Sequence, residues 1–358
     1  MVKSAKPLNI LVTGAGAPGL PGTLYALRKN PDGRAVRIIG VDMDDDVSGC
    51  FLVDRFYKVP PPEDPSYSAA MLRICDDESV TVILPQTTRE IAQLSCFKEK
   101  FERRAIHVMV SEARAIQAAN NKWLLLQKAR ELGVPCPAAH WASREEELVT
   151  SALELGYPHR PVVVKPAVSN GMRGVRILST DAWDVPRFLR DKPLGLEISL
   201  DELLAILRRG PGWPELIVME YLPGAEYSVD AFIGEKLELA LPRLREKIRS
   251  GITFRSRSDF REDLSRHTLE LARHLGLRFA FGFQFKLDAH GTPKLLECNP
   301  RIQGTMVASV FSGANLIWFG VKELLGEPIE PKQVSLKPAC FYRSWGGVGV
   351  SGEFTEAI

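Results

Sequence analysis

The sequence predicts an α/β protein in two unlike parts, an N-terminal Rossmann-like domain with a doubly wound parallel sheet and a larger α+β region after it. Three stretches carry that prediction. Residues 8–14 read as a buried strand, Gly14-Ala15-Gly16-Ala17-Pro18-Gly19 as a tight turn, residues 20–29 as a helix, and residues 35–41 as a second strand ending on Asp42, which together make a βαβ unit. Beyond Ser111 the pattern changes to helical segments and then to paired strands. Near the C-terminal end, residues 282–288 and 294–301 flank Ala289-His290-Gly291-Thr292, the pattern of a β-hairpin.

In the first domain, helices are expected at residues 67–75 and 89–101 and strands at 80–85 and 106–110. This makes a parallel sheet of about five strands within about 100 to 120 residues, a normal domain size. A GxGxxG turn that opens a helix, with an acidic residue ending the next strand, is also the dinucleotide-binding pattern, so an NAD(P)-dependent oxidoreductase is one reading of this domain. Pro18 and Pro21 crowd the helix start, where proline is tolerated. The plainer reading is a glycine-rich turn needed for tight strand-to-helix passage or for holding a small anionic substrate.

Helical segments at 113–119 and 120–132, the latter closed by Gly133, set a domain boundary near residue 117. The expected division is 1–117, 118–330 and a C-terminal extension at 331–358. Residues 161–166 form an apolar strand carrying Lys165, followed by the loop Ser169-Asn170-Gly171-Met172-Arg173-Gly174 and a return strand at 175–178. A lysine beside a glycine-bearing loop with an arginine makes a lid that folds over phosphates, the bland alternative being an exposed hairpin with two solvated cations. Helices are expected at 180–190 and 200–209. The strand at 215–220 ends on Glu220, passes Leu222-Pro223-Gly224, and resumes with Glu226, Ser228 and Asp230 on one face. Carboxylates there suit ribose hydroxyls or an exocyclic amine better than phosphates.

The basic segment Arg243, Arg245, Lys247, Arg249 and Arg255 reads as a solvated face, with contact to substrate as the alternative. Residues 262–275 form an amphipathic helix with Leu264, Leu271 and Leu275 inward. Its His267 and His274 are expected at the surface or in capping positions, since no HExxH pattern accompanies them. In the hairpin, alternation puts Gln284 and Lys286 on one face of the first strand and Glu297 and Asn299 on one face of the second, with Cys298 turned toward the core. A carboxylate with amide oxygens, followed at once by Arg301, suits a Mg²⁺ ion that keeps some waters and binds substrate phosphates. A surface hairpin with polar residues facing water is the bland alternative.

The 358 residues are 45% hydrophobic, enough for two or three domains with their own cores. Lys and Arg number 46 against 44 Asp and Glu, so charge makes no case for a nucleic-acid or membrane partner. Six scattered cysteines without a CxxC pair argue against a zinc site and fit free thiols. No apolar run is long enough to cross a bilayer and residues 1–6 lack a signal-peptide core, so a cytoplasmic location is the expectation.

Taken in order, the glycine-rich βαβ unit, the Asn-Lys-Trp helix, Val-Lys-Pro with its Gly/Arg loop, Glu220-Tyr221-Leu222-Pro223-Gly224-Ala225-Glu226-Tyr227-Ser228-Val229-Asp230 and Gln284 with Glu297-Cys298-Asn299-Pro300-Arg301 resemble the ATP-grasp superfamily. The likeness is strongest to its carbamoyl-phosphate-synthase-like branch and runs from Leu8 to Gly326. It implies a Rossmann-like pre-ATP-grasp domain before an ATP-grasp fold of two α+β subdomains clasping ATP, with a lid subdomain near 135–222. It further implies that Lys122 and Lys165 approach the nucleotide phosphates, and that Ser169, Asn170, Gly171 and Gly174 close over them with Arg173. The main chain at Tyr221 and Leu222 reads the adenine edge beside Glu220, and Glu226 takes the ribose hydroxyls. Gln284, Glu297 and Asn299 match the positions for Mg²⁺, with Mn²⁺ as a substitute, and Arg301 matches the arginine that steadies the transferring phosphoryl group.

The implied activity is ATP-dependent ligation of a small-molecule carboxylate to an amine or ammonia through an acyl phosphate, releasing ADP and phosphate. A homodimer is compatible with the sequence. Two departures stand out: Ser169 and Met172 in the lid replace glycine and a small polar residue, and residues 191–214 form an extra segment that borders either the substrate pocket or an interface. Only one ATP-grasp half fits in this length, so carbamoyl phosphate synthesis by the chain alone is not expected. A non-catalytic nucleotide-binding or regulatory subunit is the alternative reading, against which the retained metal positions and Arg301 argue.

Overall fold

Apolar runs without polar alternation form the first sheet, because both of its faces are covered. In a computed structural model that describes residues 7–169, 171–181, 185–190, 195–344, 346–351 and 354–357, this sheet is built from β1 (Leu8–Thr13), α1 (Leu20–Arg28), β2 (Val36–Asp42), β3 (Arg55–Lys58), α2 (Tyr67–Asp77), β4 (Val82–Leu84), α3 (Thr88–Glu102) and β5 (His107–Val108). All pairings are parallel and the order is β3-β2-β1-β4-β5. The direction of winding reverses between β1 and β4, which leaves a crevice beyond their carboxyl ends. The turn after β1 and the start of α3 both lie there. The short edge strand β3, sequence RFYK, has too little apolar character to be legible in advance.

The second group is α4 (Ala113–Asn120), α5 (Lys122–Glu131), β6 (Ala139–Ala142), α6 (Glu145–Glu154), β7 (Val162–Pro166), β8 (Arg176–Leu178), α7 (Val185–Arg190), β9 (Glu197–Ile198), α8 (Leu200–Leu207) and β10 (Leu216–Glu220). Asn121 separates α4 from α5, its Oδ1 accepting from the backbone N–H groups of Trp123 (3.0 Å) and Leu124 (3.1 Å), an N-cap that fixes Lys122 in the first turn. The sheet order is β6-β10-β7-β8-β9, with β10 antiparallel to both neighbours. Of the helix expected at 180–190, residues 182–184 lie outside the described residues, as do residues 191–194 of the extra segment. The rest of that segment is β9 and α8, the latter opened by a reciprocal capping box between Ser199 and Glu202.

The third group is β11 (Glu226–Ile233), β12 (Glu238–Arg249), β13 (Ile252–Ser258), α9 (Glu262–Leu275), β14 (Phe279–Leu287), β15 (Pro293–Asn299), α10 (Ala308–Phe311), α11 (Leu316–Leu324) and β16 (Cys340–Tyr342), with a separate hairpin of β17 (Val348–Ser351) and β18 (Phe354–Ala357). The six strands pair antiparallel in the order β15-β14-β11-β12-β13-β16. One core joins this sheet to the first: Trp318 and Phe319 of α11 pack with Leu24 and Leu27 of α1, Ile10 and Val12 of β1, and Phe232 and Phe279 of the third sheet. On the opposite face, α4, α5 and α9 cover Phe281, Phe283 and Phe285.

On α9, Leu264, Leu271 and Leu275 are buried, and so is His267, contrary to its expected surface position. It lies three and four residues from Leu264 and Leu271, on the same helical face, and its Nδ1 has no hydrogen-bond partner among the described residues. His274 is the exposed one, its Nδ1 2.9 Å from the carbonyl of Glu270. Among the described residues no helix is long and apolar enough to cross a membrane.

Candidate active site

The three sheets enclose one cleft of about 770 Å³, within the range typical of small-molecule sites. Its floor is the hairpin of β14 and β15. Gly282 pairs with Asn299 and Gln284 with Glu297, and the register then slips, so that Leu296 is an extra residue in β15. Such a bulge re-aims the backbone next to a site. Here the freed carbonyl of Leu296 accepts from Lys165 Nζ at 3.1 Å, tying the floor to β7 of the second sheet. Gln284, Glu297 and Asn299 all line the cleft, while Cys298 between them is buried and its thiol is pushed upward by that burial.

Lys122, at the first turn of α5, donates to the carbonyl of Ser169 (2.8 Å) and to its hydroxyl (3.3 Å), and lies 4.0 Å from Glu297. Lys165 is 6% exposed; burial first, and then the charge of Lys122, bring its ammonium down to about 8. Burial lowers Lys122 as well, with Glu297 acting in the opposite direction. Two cations forced this close and stripped of water fit a polyanionic ligand. The lid residues Ser169, Gly171, Met172 and Arg173 line the cleft above them, whereas Asn170 lies outside the described residues. Gly174 has φ +76°, and a Cβ there would sit 2.6 Å from Pro166 Cγ, so glycine is required for the loop to turn back against β7. Met172 crosses to the β12–β13 turn, close enough that a Cβ on Gly251 would lie 3.0 Å from its sulfur.

Glu220, Tyr221 and Leu222 line the far wall. The Glu220 carboxylate accepts from the backbone N–H of Ala138 (2.9 Å) and from Lys294 (2.5 Å), contacts that brace this wall. Lys286 lies 5.3 Å from the Tyr221 ring centroid. Glu226 pairs with Arg245, and Asp230 accepts from Arg243 Nε at 2.8 Å.

This corrects the solvated-face expectation for the basic segment: Arg243 and Arg245 are 4% and 8% exposed and line the cleft, while Arg249 and Arg255 do point outward. The signal was available in the alternation of β12, because the inward positions of β11 are acidic or hydroxylated and Glu226 and Ser228 sit opposite Arg245 and Arg243. Arg343, with no sequence signal, is a further arginine of the cleft; it donates to the carbonyls of Gly304 (2.7 Å), Pro18 (2.9 Å) and Thr253 (3.2 Å).

Arg301 closes the floor, donating to Thr88 Oγ1 (3.3 Å), Asn299 Oδ1 (3.2 Å) and the carbonyl of Ile302 (2.9 Å). Gln284 Oε1 lies 3.4 Å from Arg245 Nη1. Glu297 is therefore ringed by Lys122, Arg245 and Arg301, and one carboxylate with two amide oxygens fits a hard divalent cation only when a ligand supplies further oxygens. No group of three or more His, Cys, Asp or Glu side chains suited to a metal occurs among the described residues.

At the N-terminal end the glycine-rich turn behaves unlike a dinucleotide site. Asp42 Oδ2 accepts from the Gly16 N–H at 2.7 Å, so a carboxylate occupies a donor that a pyrophosphate needs. Gly14 has φ +59° and its Cβ would lie 2.4 Å from Thr87 Cγ2, a requirement of close packing.

Fold and site together resemble those of the ATP-grasp superfamily, and two family models match separate parts of the chain. Residues 212–342 match the family described as ATP-grasp in the biosynthetic pathway with Ter operon, and residues 10–109 match the PylC-like N-terminal domain. The chain is 24% identical over 246 residues to the carbamoyl phosphate synthase large chain of Agathobacter rectalis, covering 65% of this chain and 21% of that one. It thus spans about a fifth of that relative's length. N5-carboxyaminoimidazole synthetase from Staphylococcus aureus, solved with ADP, superposes with a TM-score of 0.70 at 14% identity over 97% of this chain and 84% of that one. The biotin carboxylase domain of Hydrogenobacter thermophilus 2-oxoglutarate carboxylase, solved with MgADP, ADP and bicarbonate, gives 0.69 at 15% identity over 95% and 74%. The N-terminal parallel sheet and the antiparallel ATP-grasp portion are thereby the fold expected from the sequence.

Proposed function

We propose that the protein is a Mg-ATP-dependent ligase that joins a small-molecule carboxylate to an amine or ammonia through an acyl phosphate. The observation that carries this reading is the continuity of one cleft from the buried lysine pair, past Glu297, to Arg301 and the crevice of the first sheet. A carboxylate oxygen of the acid attacks the γ-phosphorus, the bond to the bridging β,γ-oxygen breaks, and ADP leaves with that electron pair. The amine nitrogen then attacks the acyl carbon, inorganic phosphate leaves with the C–O pair, and the amine's surplus proton passes to solvent or phosphate.

In this scheme Lys122 and Lys165 hold the nucleotide phosphates by charge-assisted hydrogen bonds, and Arg301 offsets charge that builds on the phosphoryl group in flight. The lid at Ser169, Gly171, Arg173 and Gly174 keeps water from the mixed anhydride. Tyr221 and Leu222 present main-chain groups to the adenine. Glu226, steadied by Arg245, takes ribose hydroxyls. Gln284, Glu297 and Asn299 would hold Mg²⁺ or Mn²⁺, which when bound neutralises phosphate charge. Residues 1–117 serve as the pre-ATP-grasp domain and 118–330 as the ATP-grasp unit in this reading. The test is ADP formation that depends on both a carboxylic acid and Mg²⁺. ADP formed at an equal rate without any acid would reduce the chain to a hydrolase.

A further inference from the structure

Two carboxylates at the N-terminal end of the cleft have no part in the scheme above. Glu90 is 5% exposed and lines the cleft; its Oε2 accepts from Thr13 Oγ1 (2.7 Å) and Thr87 Oγ1 (2.6 Å). Asp42, on the same wall, spends one oxygen on the Gly16 N–H and the other on that of Asp44 (3.1 Å). Among the described residues neither forms an ion pair. Arg89, the cation next in sequence to Glu90, is committed to Glu63 by bonds of 2.9 and 2.6 Å. A carboxylate this buried with no ion-pair partner among the described residues is costly unless a cation offsets it. Burial raises Glu90's readiness to take a proton and the Asp42 charge adds to it, and a cation placed beside them would oppose that shift.

The other charge of the cleft lies close by. Arg301 is hydrogen-bonded to Thr88, two residues before Glu90 on the first turn of α3, and Arg343, which has no carboxylate partner among the described residues, braces the turn at Pro18. A molecule seated between them meets guanidinium groups on one side and carboxylates on the other. We propose that the acid activated in this cleft is an amino acid, its carboxylate directed to Arg301 and its ammonium group held by Glu90 and Asp42. Held as a protonated ammonium, that nitrogen has no free electron pair and stays out of the reaction, so the attacking amine is a different group. This inference rests on the ligase reading and narrows it.

The test uses hydroxylamine as the attacking amine, so that any acyl phosphate is captured as a hydroxamate whatever the natural amine is. The standard α-amino acids, β-alanine and 4-aminobutyrate are each compared with the matching acid that lacks the amino group, such as propionate for alanine. At least one amino acid is expected to give hydroxamate with kcat/KM tenfold or more above its des-amino partner. Glu90→Gln, which keeps an oxygen for the two threonine hydroxyls, is expected to shrink that ratio tenfold while the Kd for Mg-ATP stays within twofold. Asp42→Asn serves the same purpose should Glu90→Gln fail to fold. Equal use of des-amino acids, a ratio untouched by either variant, or no hydroxamate from any amino acid despite Mg-ATP binding overturns the amino-acid assignment. Loss of Mg-ATP binding by the unaltered protein would instead overturn the ligase reading itself.

Discussion

Two glycine-rich turns face the same cleft, and side chains of opposite charge stand beside them. The turn at residues 14–19 has its Gly16 N–H taken by Asp42 and the carboxyl of Glu90 close behind it; the loop at 169–174 has the Lys122 ammonium on its Ser169 carbonyl and Lys165 beneath. In both places the glycines set the backbone path, with Gly14 and Gly174 each at positive φ against a close neighbour. What distinguishes the two turns is supplied by side chains arriving on other strands and helices, and in the proposed reading it makes one a phosphate cradle and the other a cation wall.

The largest effect that would sharpen this contrast is expected at the floor of the cationic half. Glu297→Ala should lower ADP formation by about 10²–10³-fold, because a positioned charge at the transferring phosphate is lost, with little change in melting temperature. Turnover near that of the unaltered protein would remove the hairpin from the chemistry.

Lys165→Met comes next and should weaken ATP binding by about 10–100-fold, the worth of one buried charge-assisted contact. The same change should raise thermal stability in nucleotide-free buffer. Lys165 sits at about 8, below its unfolded value, so the folded state tolerates the proton poorly and its cost is felt at neutral pH. As pH rises from about 8 toward the unfolded pKa of about 10.4, that cost fades, while affinity for ATP, which needs the cation, falls. A wild-type ATP affinity that is flat across this window, followed by calorimetric titration, would detach Lys165 from the phosphates.

Matched alanine substitutions separate the two turns directly. Gly14→Ala forces a Cβ toward Thr87 and should cost about 1–3 kcal/mol of stability with ATP affinity within about twofold, read by denaturant titration and by Kd. Gly174→Ala, by displacing the lid from Pro166, should mainly raise the share of ADP formed without product, as should Arg173→Ala. The smallest expected effect is none: NAD⁺ should not raise the melting temperature, whereas Mg-ATP should. Stabilisation by micromolar NAD⁺ alone would reverse the assignment of the first turn.

The sequence made legible those features that depend on local periodicity. β1 and β2, α9 to the residue, and the shared face of Glu297 and Asn299 follow from unbroken apolar runs, a 3.6-residue period and strict alternation. Features created by partners distant in sequence were hidden. Arg243 and Arg245 looked solvated because their carboxylates, Asp230 and Glu226, lie on another strand, and the bulge at Leu296 exists only in the pairing of β15 with β14. His267 was misplaced because polarity was allowed to outweigh its position on the apolar face of α9. Glu90 looked like any acidic residue in the first turn of a helix until the packing of Thr13 and Thr87 buried it.

The central claim, that a carboxylate is phosphorylated before an amine displaces phosphate, is tested most directly by isotope transfer. With ¹⁸O placed in the carboxylate of an acid that supports turnover, the account predicts one labelled oxygen in each inorganic phosphate released with product. Product formed with unlabelled phosphate would contradict it, since the phosphate would then have drawn its oxygen from water and no acyl phosphate would have formed.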